Sequence, residues 1–318
     1  MFIVSFFQGS NELDFNEIAE KCGVDTKPPE EVIRNLSELD QMYNSTELVQ
    51  IYNFLLNNVK NNVILEEIVK LSDSHRDKST LDILQNILLQ KIRLSVDEDL
   101  VSLRAMCAKV IANYKETSTL TALLHCLNDK HENYKIRLAC ADALGRIGDP
   151  FAVAPLINVV KDEDEKSIYV KESATFALGL LGDTSAVDPL VAIMEAKQGL
   201  WDKFSFLKEK IVEALGKLNI NSYKVLKVYK TSLMDSSPMV RINAIEALMN
   251  SDFEESEDLI RTALHDEDEE VQRNALIALY NMIGGDILEE IISLPSYSEF
   301  LKEEAKNLQE EYEEEENE

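Results

Sequence analysis

Long hydrophobic runs are missing from this chain of 318 residues. No apolar stretch approaches the ~18 residues that a membrane-crossing helix needs. The opening MFIVSFFQGS is apolar for only a few residues. With no basic start and no clear small-residue cleavage site, it does not read as a signal peptide. Cysteine is scarce: Cys22, Cys107, Cys126 and Cys140 are too few for a disulfide framework in so long a chain. A reducing, cytoplasmic setting is therefore expected. Positive charge is also short, with 32 Lys and Arg against 59 Asp and Glu and a net charge of -27. Such a molecule repels phosphate backbones and anionic bilayers, which disfavours nucleic-acid and membrane partners and suits a basic protein partner. Gly-rich phosphate loops, a nucleophile elbow, a zinc-protease helix and kinase-type motifs are all missing, so no motif names a cofactor.

What is present is apolar material with a period. At 45% hydrophobic the chain can build a core, which excludes wholesale disorder. Six nonapeptides align: LRAMCAKVI from Leu103, IRLACADAL from Ile136, VKESATFAL from Val170, LKEKIVEAL from Leu207, VRINAIEAL from Val240 and VQRNALIAL from Val271. Their starts lie 33, 34, 37, 33 and 31 residues apart. Places one, five and eight are apolar or small in every copy and share one face of a helix, which place nine widens. Place two is Arg104, Arg137, Lys171, Lys208, Arg241 and Gln272.

The punctuation agrees with helical hairpins. Gly148 and Gly182 can end a helix in the left-handed conformation, and Asp149 and Asp183 can cap the next. A second apolar segment follows, AVAPLINVV in one copy and AVDPLVAIM in the next. Pro155 and Pro189 place the start of that second helix close to themselves, because an interior proline would break it. Links ending in Asp129, Asp162, Asp235 and Asp266 close the units. Each unit of roughly 33 residues cannot bury its apolar face alone and must stack on its neighbours.

The link ending in Asp, the Val/Ile-Arg pair, the spaced alanines, Ala-Leu-Gly, Gly-Asp-Pro and Ala-Val-x-Pro-Leu together resemble the HEAT-like repeats of the phycobilisome-lyase type. The likeness is closest over 130–196, good over 97–295 and weak before 97. It implies an all-α, right-handed α-solenoid. It also implies structural inter-repeat roles for Arg104, Arg137 and Arg241 with Asp129, Asp162 and Asp235. The expected organisation is a divergent N-terminal helical region or cap over 1–96 and six repeats over 97–295. A capping helix over 296–312, with Phe300, Leu301, Ala305, Leu308 and Tyr312 as its apolar stripe, precedes a disordered acidic tail over 313–318.

Four features compete as sites. Cys107 and Cys140 share place five, with Cys126 in the intervening helix, so the three thiols are the weak metal or thiol-chemistry candidates. Ala174, Ile211, Ala244 and Ala275 fill that place elsewhere and no C-x-x-C pair exists, so the expected role is packing and the expected metal content is none. Deoxyhypusine hydroxylase, another HEAT-like family, holds two irons through His-Glu pairs in this helix. Here Lys171-Glu172 and Lys208-Glu209 stand at the matching dipeptides, and the four histidines (His75, His125, His131 and His265) lie elsewhere, so that enzyme reading fails. Phycobilin lyases share the repeat, but the resemblance carries no chromophore contact. The 37-residue spacing brings Trp201, Phe204 and Phe206 into one link, and aromatic residues are preferred interface anchors. These three are the partner-binding candidates. Finally, DFNEIAEKCGVDTKPPEEVIRNL has the outline of a helix-turn-helix in a segment that is itself acidic.

The resulting expectation is a non-catalytic scaffold or adaptor that binds a basic or extended protein partner on a curved surface lined by the second helices. The alternative is an accessory or assembly factor, lyase-like or chaperone-like, for a chromophore- or metal-containing protein. A DNA-associated role through the N-terminal segment ranks third.

Overall fold

The computed structural model describes residues 13–91, 97–195 and 205–315. Among them eighteen α-helices occur and no strand. The chain divides into two compact units, Met1–Ala143 and Leu144–Glu318.

In the first unit the order is α1 (Phe15–Cys22), α2 (Pro29–Ser37), α3 (Ser45–Asn58), α4 (Asn62–Ser72), α5 (Lys78–Leu88), α6 (Glu98–Tyr114) and α7 (Leu120–Asn128). The helix α8 (Tyr134–Ile147) begins there as well. Local chemistry sets the boundaries. Asp14, Asn44, Asn61, Asp77 and Asp97 each accept a backbone N–H at the start of the helix that follows. Gly23 ends α1 with φ +77, and Pro29 opens α2 where its missing N–H is not needed. Helix α4 packs on both α2 and α6, while α3 packs on α1 and α5. Two layers of alternating helices thus already run through the segment before residue 97.

In the second unit α9 (Val153–Lys161) is followed by α10 (Ile168–Leu181), α11 (Val187–Glu195), α12 (Ser205–Leu218) and α13 (Tyr223–Ser232). Then come α14 (Pro238–Met249), α15 (Ser256–Ala263), α16 (Glu269–Ile283), α17 (Asp286–Ser293) and α18 (Glu299–Glu315). The first helices of the hairpins stack in one layer, α10 on α12, α12 on α14, α14 on α16 and α16 on α18. The second helices α9, α11 and α13 succeed one another in the other layer. Pro155 and Pro189 fall on the third residues of α9 and α11, where the first-turn N–H groups have no intrahelical acceptor. Gly148 and Gly182 carry φ of +82 and +69, as a left-handed helix stop requires.

The last helix covers α16 and α17, with Leu301 and Ala305 fully buried. It runs to Glu315, past the residue 312 at which its end was expected. Glu and Lys are good helix formers, and no Gly or Pro stops them here. The side chain of Tyr312 lies outside the described residues.

The tight spots of the stack are backbone-to-backbone. A Cβ built on Gly145 of α8 would lie 2.6 Å from the Ala177 Cα of α10. On Gly179 it would lie 3.1 Å from the Ala214 Cα, and on Gly216 it would lie 3.1 Å from the Ala247 Cβ. The glycine of one Ala-Leu-Gly therefore receives the alanine of the next hairpin's equivalent helix.

Candidate interaction surface

The place-two side chains have a shared geometry. Five of the six, Arg104, Arg137, Lys171, Arg241 and Gln272, reach back to a backbone carbonyl near the end of the preceding second helix. Arg104 donates through Nε to the Leu88 carbonyl at 2.7 Å, and Arg137 does so to Leu127 at 2.9 Å. Lys171 Nζ donates to Val160 at 3.0 Å, Arg241 to Asp235 at 2.8 Å, and the Gln272 amide to Asp266 at 2.6 Å. Where a carboxylate partner is seen, it comes from the link that follows. Arg241 forks onto both oxygens of Asp266 at 2.9 and 2.7 Å, and Lys208 holds Asp235 at 2.9 Å. Arg104 and Arg241 thus join the segment before their helix to the link after it, and the Arg241 fork does so bidentately.

Two of the arginines that the resemblance named take carboxylates other than the ones named with them. The Arg104 guanidinium, 1% exposed, takes Glu132 through both Nη atoms, not Asp129. The Arg241 fork takes Asp266, while Asp235 offers it only its backbone carbonyl. Each link Asp also accepts the N–H two residues on: Asp129 from His131, Asp162 from Asp164, Asp235 from Ser237 and Asp266 from Asp268. Such a turn is a local property of Asp, so it forms whether or not a cation arrives.

Lys171 is the exposed-surface residue type in the most buried setting, at 1% exposure. Burial pulls its ammonium down to about 8, against the opposing pull of Asp162, Glu165 and Glu163. Unfolded, the group keeps its proton to 10.5. Between these values the folded state binds fewer protons, so this group's contribution to stability rises with pH through that window. Urea unfolding of wild type and Lys171→Met at pH 7 and pH 10 is the measurement. Wild type should gain roughly 2–3 kcal/mol relative to the variant over that interval. A pH-independent difference would refute the assignment.

All four cysteines are free and buried. Cys107 sits in α6, fully buried, and burial pushes its thiol up. The structure brings Cys126 and Cys140 together. Their mutual hydrogen-bonding raises the Cys140 thiol and lowers that of Cys126, with the Arg104 charge adding to the lowering. Arg104 Nη2 lies 4.0 Å from Cys126 Sγ, and that thiol reaches the Leu88 carbonyl at 3.8 Å. Among the described residues, no group of three or more His, Cys, Asp or Glu is placed to hold a metal ion. No helix there is long and apolar enough to cross a membrane.

At the N-terminus, Glu30 and Glu31 occupy the first turn of α2. A recognition helix meets DNA with that end, and carboxylates there repel phosphates.

Of the aromatic candidates, Trp201 and Phe204 lie outside the described residues. Phe206, the second residue of α12, is 67% exposed. It stands immediately before the buried Leu207 that opens its nonapeptide. The same place in α10 holds Tyr169, 58% exposed, and in α14 Met239, 51% exposed. Because α10, α12 and α14 are stacked in order, these equivalent places succeed one another as a row along the edge where links enter the first helices, one residue per helix. Met234, 79% exposed, stands in the link before α14. The sequence reading passed over Tyr169, Met234 and Met239. The available signal was the place just before each nonapeptide, which is apolar in three consecutive copies.

The second helices present a different surface. Lys224 pairs with Asp188 at 2.8 Å and Lys227 with Glu195 at 2.8 Å, both between α13 and α11. Its charges are committed to bridging neighbours there. Between α12 and α14 a shallow groove of about 290 Å³ is lined by Glu213, Gly216, Lys217, Asn243, Glu246, Ala247 and Asn250.

This repeat geometry has counterparts among known proteins. The family model described as HEAT repeats matches residues 87–168 and 224–307, just over half of the chain. The model described as PBS lyase HEAT-like repeat matches 170–196. Among solved structures, YibA of Escherichia coli is 18% identical, over 84% of this chain and 92% of that one, with a TM-score of 0.53. A chain from the CpcE–CpcF complex of phycocyanin lyase from Nostoc sp. PCC7120 is 23% identical, over 74% of this chain and 89% of its own, with a TM-score of 0.48. Human deoxyhypusine hydroxylase is 16% identical, over 84% and 94%, with a TM-score of 0.33. Among curated proteins no sequence matches.

Proposed function

This chain belongs to the HEAT-repeat family, and from that premise we propose that it is a non-catalytic scaffold whose work is to bind a protein partner in the cytoplasm. The observation that carries the reading is the division of labour among its side chains. Arg104, Lys171 and Arg241, buried groups that could do chemistry, are engaged in tying hairpins together. Among the exposed large apolar residues, Tyr169, Phe206 and Met239 hold the equivalent place on three consecutively stacked helices. Exposed apolar residues gathered in one place mark interaction sites on soluble proteins. Free, buried thiols suit a reducing compartment. The partner surface is accordingly moved from the second helices, where the sequence reading put it, to the link edge.

A second reading has its own support. The match to a PBS lyase HEAT-like repeat over 170–196 favours an accessory or assembly factor for a chromophore- or metal-containing protein. One experiment separates the two. The full chain is tagged, purified from its native cell, and the complex is sized, weighed by mass spectrometry, scanned for visible absorbance and assayed for metals. A colourless, metal-free complex of fixed stoichiometry with one protein is expected. A coloured ligand or stoichiometric metal in the complex would favour the second reading, and a chain that elutes alone under every condition would refute the first.

A further inference from the structure

The row of exposed apolar residues has acidic ends. Before Tyr169 the link exposes Glu163 and Asp164, with Lys166 the one opposing charge there. Beyond Met239 the next link and helix start expose Glu267, Glu269 and Glu270. We propose that this edge of the second unit is a docking site for a basic amphipathic helix of a partner protein. The proposal rests on the scaffold reading and specifies the partner's chemistry.

Three physical points select that occupant. First, packed helices lie about 8–10 Å apart, so Tyr169, Phe206 and Met239 are spaced by roughly that distance. A helix laid across the edge repeats its apolar face every two turns, about 10.5 Å, and can set a side chain beside each. Second, two of the four edge residues are methionines, whose unbranched, polarisable side chains repack around an incoming apolar face. Third, carboxylates at both ends of the row complement Lys or Arg at both ends of the helix. The same charges oppose the other occupants. A second copy carries -27 of its own, and the last sixteen residues of this chain hold nine Glu and one Lys. Either would bring like charges together on this edge.

The test uses the full chain and a fluorescein-labelled, 18-residue synthetic peptide of Lys and Leu in helical pattern. The control is the same pattern with Glu replacing Lys. Anisotropy is read at physiological ionic strength. The basic peptide should bind and the acidic one should not. The double variant Phe206→Ser/Met239→Ser should weaken binding roughly tenfold or more, as loss of interface anchors does. Glu163→Gln/Asp164→Asn should weaken it less and flatten its salt dependence. Both positions of the first variant are exposed, so its thermal midpoint should match wild type. Met234→Ser serves as a second variant should the midpoint fall.

Unchanged affinity in Phe206→Ser/Met239→Ser would show diffuse charge attraction and overturn the proposal. So would equal binding of the acidic peptide. A dimer in sedimentation equilibrium that this variant dissociates would assign the row to a second copy, and would overturn it too. A partner complex from native cells that survives the variant would remove this docking edge while leaving the scaffold reading intact.

Discussion

Gly145→Ala should destabilise the second unit by about 2 kcal/mol, whereas Gly216→Ala should be close to neutral. The two substitutions share their favourable contribution. Alanine in a helix interior is better than glycine by about 1 kcal/mol. They differ in what the new methyl meets. At Gly145 it would sit 2.6 Å from a backbone Cα of the neighbouring helix, so α8 and α10 must move apart and lose packing along their length. At Gly216 the nearest atom is the Ala247 Cβ at 3.1 Å, and a shift of a few tenths of an ångström relieves it. Gly179, 3.1 Å from the Ala214 Cα, should fall between the two. Urea denaturation of the three variants, with the slope compared as well as the midpoint, reads the order. Gly145→Ala as stable as wild type would refute the close approach of α8 and α10.

Removing the Arg241 fork is the second large effect expected. Arg241→Leu leaves Asp266 without its bidentate partner in a site where the carboxylate is 12% exposed. It also leaves the Asp235 carbonyl without that donor. Breaking a buried pair by deleting one member costs about 3–5 kcal/mol, because an uncompensated charge stays behind. Asp266 keeps the N–H of Asp268 and sits near water, which places the expectation toward the lower figure. Arg241→Leu/Asp266→Asn should recover about half of the loss, since the orphaned charge is then gone. Arg241→Lys should recover less than the wild-type fork provides, as a single ammonium cannot span both oxygens and the carbonyl. A full additive loss in the double variant would show that the two side chains do not interact.

The repeat, its hairpins and the all-α class were legible because they rest on local rules. Apolar places one, five and eight lie on one helix face by geometry alone, and in every copy those residues are buried. The fifth place takes Cys107, Cys140, alanine or Ile211, and each is fully buried. Helix ends followed from Asp149, Asp183, Gly148 and Gly182, whose capping needs only neighbours in sequence. That a cation at place two ties neighbouring units came from resemblance to a family.

Which carboxylate each cation takes was not legible. Asp129 and Glu132 are three residues apart in one link, and the choice between them is a matter of ångströms. Asp235 and Asp266 look alike in sequence. Only the stacking sends Lys208 to the first and Arg241 to the second. The apolar row was hidden for a related reason. Exposed positions carry no burial pattern, and Tyr169, Phe206 and Met239 lie 37 and 33 residues apart in the chain. A single long link drew attention to Trp201 and Phe204, while the row that continues from Phe206 depends on α10, α12 and α14 lying side by side.

The sequence by itself therefore determined a repeated helical brick, its caps and its acidic character, because each depends on residues within one turn or one hairpin. The tertiary structure alone decided how close the bricks approach, which charges they share and which side chains they align along an edge, because those properties arise between residues that only packing makes neighbours.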